Sequence, residues 1–193
     1  MSWLGRLLRN RRPDERSYGW NQANLAAPET IKVTSQDFTD GSGLPKRHAG
    51  RRAGGENLSP QLSWSELPDG TAEVLLLVED LDVPLGSAPA IHCLAVIDPA
   101  ALATPNQLPA GGLAKRSPAP GVTLLRSTIG RGYLGPEPVK GHGPHRYVFQ
   151  VFALGASVRG GGDAVTSARP RAALAGLGVP VLARGRITGL YER

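Results

Sequence analysis

Cysteine occurs once in this chain, at Cys93, so no disulfide can form within it. Cys93 sits inside an apolar run, where a small buried side chain fits, and the pattern suits a reducing cytoplasm. No stretch reaches the roughly 18 consecutive apolar residues that a membrane-spanning helix needs. The first residues interleave Trp3, Leu4, Leu7 and Leu8 with Arg6, Arg9, Arg11 and Arg12, but they lack the long apolar centre and small-residue cleavage site of a secretory signal. No serine stands in a nucleophile elbow, and no closely spaced histidine pair with an adjacent glutamate falls on a helix. Lysine is scarce too, so the net charge of +6 comes almost wholly from arginine. Much of it is concentrated in residues 6–16 and 46–52, without the interleaved aromatics of a nucleic-acid surface. Both clusters read as solvated charge runs, and nucleic acid is not an expected partner.

Glycine and proline are abundant, 25 and 17 in 193 residues, which favours many turns and short strands over long helices. The length suits one domain with a substantial core. Residues 1–30 read as a basic amino-terminal extension and residues 31–193 as the domain proper. Ile31 to Ser35 alternates at period two, and Leu62 and Trp64 share one strand face. Val74 to Val78 is a continuous apolar run of strand length, expected to be buried on both faces. Ile91 to Ile97 and Tyr147 to Leu154 are two more strong strands, and Val181 to Gly189 alternates again. Between them, Pro68-Asp69-Gly70-Thr71 is a turn, with proline fixing one φ and glycine accepting a positive one. Residues 40–55 read as a mobile surface loop, 98–120 as a long loop, and Gly160 to Gly162 as a flexible turn. Thr166 or Ser167 can cap a short helix with Pro170 in its first turn, running to about Gly178. Without regular helices between strands a parallel α/β sheet is excluded, and a mainly antiparallel β architecture with one short C-terminal helix follows.

Chemistry gathers at two places. Val74–Val78 ends in Glu79-Asp80-Leu81-Asp82-Val83-Pro84, where a central strand meets a proline-stiffened loop. At least one of these aspartates belongs near the interior and then needs a partner, for which His92 is the candidate. The second place is the loop from Tyr133 to Pro144, stiffened by Pro136, Pro138 and Pro144, which delivers His142, His145, Arg146 and Tyr147 to a strand. Strand alternation sends Arg146 to the face opposite His145 and Tyr147, as an ion-pair partner.

Three segments together carry a resemblance. Ser59-Pro60 with Leu62-Ser63-Trp64, then Asp80-Leu81-Asp82-Val83-Pro84, then Gly135-Pro136-Glu137-Pro138 followed by Gly143-Pro144-His145-Arg146-Tyr147, resemble the phosphatidylethanolamine-binding protein family. The flavour is that of its bacterial and archaeal, Raf-kinase-inhibitor-like branch. The resemblance runs from about residue 31 to the final Gly189-Leu190-Tyr191-Glu192-Arg193. It implies a Greek-key arrangement of two antiparallel sheets with a small anion pocket. By the same resemblance, Asp80, Asp82, His92, His145 and Tyr147 line that pocket, and a loop containing Gly135, Pro138 and Val139 forms a wall. The chain departs from the family at Val139 and Leu81, where proline is usual, and at Ala90, where an aromatic residue is common; these departures imply a reshaped pocket mouth.

The expected function is non-enzymatic binding of a phosphate-bearing ligand, a phosphomonoester or a phospholipid headgroup, without a cofactor. Modulation of a kinase or protease is what the resemblance adds. Two alternatives use the same residues: an inhibitor module with a vestigial pocket, and a metal-dependent hydrolase built on the His/Asp cluster. Peripheral membrane contact through residues 1–16 and a homodimer are both compatible with the basic, partly apolar extension.

Overall fold

The computed structural model describes residues 3–158 and 169–193. Its centre is a five-stranded sheet of β3 (Glu73–Asp80), β4 (Ala90–Ile97), β6 (Val122–Leu124), β9 (His145–Leu154) and β10 (Val181–Tyr191), in the order β10-β9-β3-β4-β6. A smaller sheet of β1 (Val33–Thr34), β2 (Leu62–Trp64) and β5 (Gln107–Leu108) packs over one face, and β7 (Arg126–Ser127) with β8 (Gly130–Arg131) adds a two-stranded ribbon. All pairings among these named strands are antiparallel. The return from β6 to β9 sets β9 beside β3, across from β4, so the expected mainly β, Greek-key character holds.

The apolar run of β3 explains its central place. Val74, Leu75, Leu76, Leu77 and Val78 are all fully buried, each contributing roughly 1.5–3 kcal/mol of transfer free energy. Alternation divides them. Val74, Leu76 and Val78 join Trp64, Phe149 and Val151 under the small sheet. Leu75 and Leu77 join Tyr18, Trp20, Leu25 and Leu174 on the other face. That second face is covered by the amino-terminal stretch and by the helix α2 (Pro170–Ala175). Trp20 is held there by Arg184 and Arg186 of β10, whose guanidinium carbons lie 4.0 and 4.5 Å from its ring centre.

Three sequence expectations are corrected. A helix α1 (Trp3–Leu8) stands at the amino-terminal end, so α2 is not alone. Helix α2 is shorter than expected: it stops at Ala175, and Arg169 occupies the N-cap before Pro170. Thr166, Ser167 and Gly160 to Gly162 lie outside the described residues. Residues 40–55 do not form a loose surface loop. They contain two 3-10 turns, Lys46–His48 and Arg51–Ala53, and they bury His48 and Ala49 completely. The reason is a close backbone approach to the proline-rich loop: a Cβ on Gly135 would lie 2.2 Å from the His48 carbonyl oxygen. Gly135 N donates to Asn57 Oδ1 at 2.8 Å, and Tyr133 Oη donates to His48 O at 3.1 Å. A side chain at Gly135 would force the two segments apart.

Candidate functional site

The site forms where β3, β4 and β9 end on the side facing the small sheet. Asp80 follows Val74, Leu76 and Val78 by alternation, and Tyr147 precedes Phe149 and Val151 in the same way. Asp80 and Tyr147 are direct partners in the β3–β9 ladder, with His145 two residues before Tyr147 on the same face. Strand period therefore delivers three of the group.

His92 arrives differently. In β4 the residues Leu94 and Val96 face the second core, so regular alternation would send His92 there as well. The pairing slips instead: Val78 pairs with Cys93, Glu79 with Ile91, and His92 is left over as a β-bulge. The bulge turns the imidazole towards Tyr147, with ring centres 5.2 Å apart and nearly perpendicular. His92 Nδ1 donates to Leu134 O at 2.7 Å, which points Nε2 at Asp80 Oδ2, 4.0 Å away. Burial holds the His92 ring below its ordinary pKa, against the opposing pull of the Asp80 charge and the Leu134 hydrogen bond.

A second imidazole joins from the glycine-proline loop. His145 Nδ1 lies 2.9 and 3.0 Å from the two Asp80 oxygens, its Nε2 lies 2.8 Å from His142 Nδ1, and His142 Nε2 lies 2.8 Å from Leu8 O. The same His142 Nε2 also lies 3.1 Å from Arg12 Nη1, so it sits between a carbonyl that can only accept and a guanidinium that can only donate. Burial, then the charges of His145 and Arg12, keep His142 below its ordinary pKa. Beside this chain Tyr147 Oη lies near Asp80 without a hydrogen bond of normal geometry, and Tyr147 is 1% exposed. Burial and the Asp80 charge push its phenol pKa up, so it stays a donor.

Asp82 takes another direction. Its Oδ2 accepts from Arg146 N at 2.8 Å and Arg146 Nε at 2.9 Å, Oδ1 accepts from Arg146 Nη2 at 2.9 Å, and Arg12 Nε lies 2.7 Å from Oδ1. Burial pushes the Asp82 carboxyl up, but the Arg146 hydrogen bonds and the two guanidinium charges outweigh it and leave the group below its ordinary value. Asp82 remains tied to the cluster through its backbone, whose N–H donates to Asp80 Oδ1 at 2.9 Å. Arg146 is the outward ion-pair partner that alternation implied.

The structure thus brings Asp80, His92, His145 and Tyr147 together. Gly135 packs on residues 48–50, Pro138 is buried, and Val139 O accepts from His142 N at 3.1 Å, which anchors the loop behind the histidines. The pocket lining implied by the sequence left out His142, which the loop was expected to present, as well as Arg12 and the Leu8 carbonyl. The spacing of His142 to His145 was visible, but a loop of glycine and proline gives no direction to a side chain.

This Greek-key β fold with an imidazole–carboxylate cluster at one end of its main sheet matches a known class. The family model described as phosphatidylethanolamine-binding protein covers residues 34–192. The chain belongs to that family, in its bacterial branch. It is 34% identical over 164 residues to a UPF0098 protein of Aquifex aeolicus, covering 84% of this chain and 89% of that one. It is 38% identical over 128 residues to the UPF0098 protein YbhB of Escherichia coli, covering 64% and 78%. Among solved structures it is similar to E. coli YbcL, described as a member of the mammalian PEBP family, with a TM-score of 0.69, 30% identity, and coverage of 84% and 98%. Membership supports a ligand-binding protein of this type.

Proposed function

We propose that the protein binds a small anion, a phosphate monoester or phospholipid headgroup, at Asp80, His92, His145 and Tyr147. Asp82 orients its neighbours, and Gly135, Pro138 and Val139 form the wall. The observation that carries this reading is the convergence of two imidazoles on Asp80, His145 at 2.9 Å and His92 at 4.0 Å, beside a Tyr147 hydroxyl with no hydrogen-bond partner. Binding of this kind needs no catalytic step.

The reading extends to a cytoplasmic protein, in keeping with the unpaired Cys93, and to bilayer contact through residues 1–16, in keeping with exposed Trp3 and Leu7. A kinase or protease partner and a homodimer follow from the family resemblance and from the basic extension.

Titration calorimetry with phenyl phosphate and phosphoethanolamine tests the site. His145→Gln is expected to bind about tenfold more weakly or worse, because it removes the imidazole paired with the Asp80 carboxylate. Equal affinity in wild type and variant would remove the assignment.

A further inference from the structure

The site is closed from one side by the chain's own amino-terminal end. Helix α1 lies against the loop that carries His142: a Cβ on Gly5 would fall 2.0 Å from Lys140 O and 2.8 Å from His142 N, so only glycine permits the approach. Leu8 is buried at 6% exposure, its carbonyl accepts from His142, and Arg12 reaches Asp82. Asp14 N donates to Ser87 O at 3.2 Å, which fastens the segment a little further on. His142 itself is fully buried under this cover.

The outer side of the same helix is apolar and unpartnered. Trp3 is 75% exposed, Leu7 71% and Leu4 39%, and these are three of the five exposed large apolar side chains among the described residues. Arginines at 6, 9, 11, 12 and 16, against acids at 14 and 15, make the segment cationic. An amphipathic, arginine-rich surface with tryptophan and leucine at its tip is complementary to an anionic lipid bilayer.

We infer that α1 is a bilayer-seeking cover: seating Trp3, Leu4 and Leu7 in an anionic bilayer draws Leu8 and Arg12 off the His142–Asp82 end and opens the anion site. This regulation rests on the anion-site reading above. Because it competes with the closed contacts, a phosphate ligand and the bilayer assist one another.

Trp3 reports on this directly, since Trp20 and Trp64 are buried at 6% and 5% exposure. With the full chain, vesicles of phosphatidylcholine and phosphatidylglycerol are expected to shift tryptophan emission to the blue, and pure phosphatidylcholine to leave it unchanged. Leu4→Ser/Leu7→Ser, at exposed positions, is expected to weaken vesicle binding about tenfold or more, and salt to weaken it further. Gly5→Val, which cannot keep the close approach, is expected to bind phenyl phosphate several-fold more tightly than wild type without vesicles.

Vesicle binding unchanged in Leu4→Ser/Leu7→Ser overturns the lipid-facing role. If Gly5→Val leaves phosphate affinity at the wild-type level while His145→Gln lowers it, the cover is overturned and the anion site stands. If neither wild type nor Gly5→Val binds phosphate, the anion site falls and the cover with it.

Discussion

Glu79 and Asp80 are neighbours on β3, both buried, and they live in different chemistries. Glu79 faces the second core, where Gly19 N donates to it at 3.0 Å, Gln150 Nε2 at 2.7 Å, and Arg171 lies 2.6 Å from its other oxygen. Burial pushes the Glu79 pKa up, opposed by Arg171 and by these hydrogen bonds. Its partners are a guanidinium, an amide and a backbone N–H, none of which can take or give a proton near neutral pH. Asp80 instead faces imidazoles that can, next to a phenol with no settled partner. A carboxylate locked by arginine serves the fold. A carboxylate set between histidines serves a site whose charge can adjust.

The contrast can be broken most severely at Glu79. Arg171→Ala leaves that carboxylate without its cation and is expected to cost about 3 kcal/mol or more in denaturant unfolding, with anion affinity little changed in the folded fraction. The reverse pattern is expected for His145→Gln, where ligand affinity falls while the unfolding midpoint moves less than for Arg171→Ala. Tyr147→Phe sharpens the assignment of the free hydroxyl. Removing a buried donor that has no partner is expected to leave stability level or raise it by up to about 1 kcal/mol, while phosphate affinity falls several-fold in calorimetry.

The smallest effect is a pH slope. His92 and His142 are both held below the ordinary histidine value of 6.5, so on acidification the unfolded chain takes protons that the native rings refuse. Their contribution to stability is full above that value and is lost as pH falls below it. His142→Gln is expected to flatten the fall in stability between pH 7 and 5, measured by urea unfolding at each pH; an unchanged slope would place the proton uptake elsewhere.

Much of this was legible in the sequence. A period of two assigns faces, so the alternation through β9 put His145 and Tyr147 on one side and Arg146 on the other, while Asp80 was marked by its place where an apolar strand meets a proline-stiffened loop. What stayed hidden depends on long-range contact. No glycine or proline marks the bulge at His92, because it arises from the pairing of β4 with β3. The order in residues 40–55 comes from glycine-permitted packing against a segment some eighty residues away. Amphipathic character at residues 3–12 could be read directly. Its position over His142 could not, because a carbonyl oxygen and a missing side chain at Gly5 make that contact.

The leftover residue in β4 has a consequence for how this protein could change. With His92 deleted, Val78–Cys93 and Glu79–Ile91 would follow one another as in an uninterrupted ladder, and Ile91 would keep the face it already occupies. The ladder has no use for that extra position, which instead holds Leu134 through its ring and its carbonyl. Losing that residue would spare the ladder and release the loop it holds.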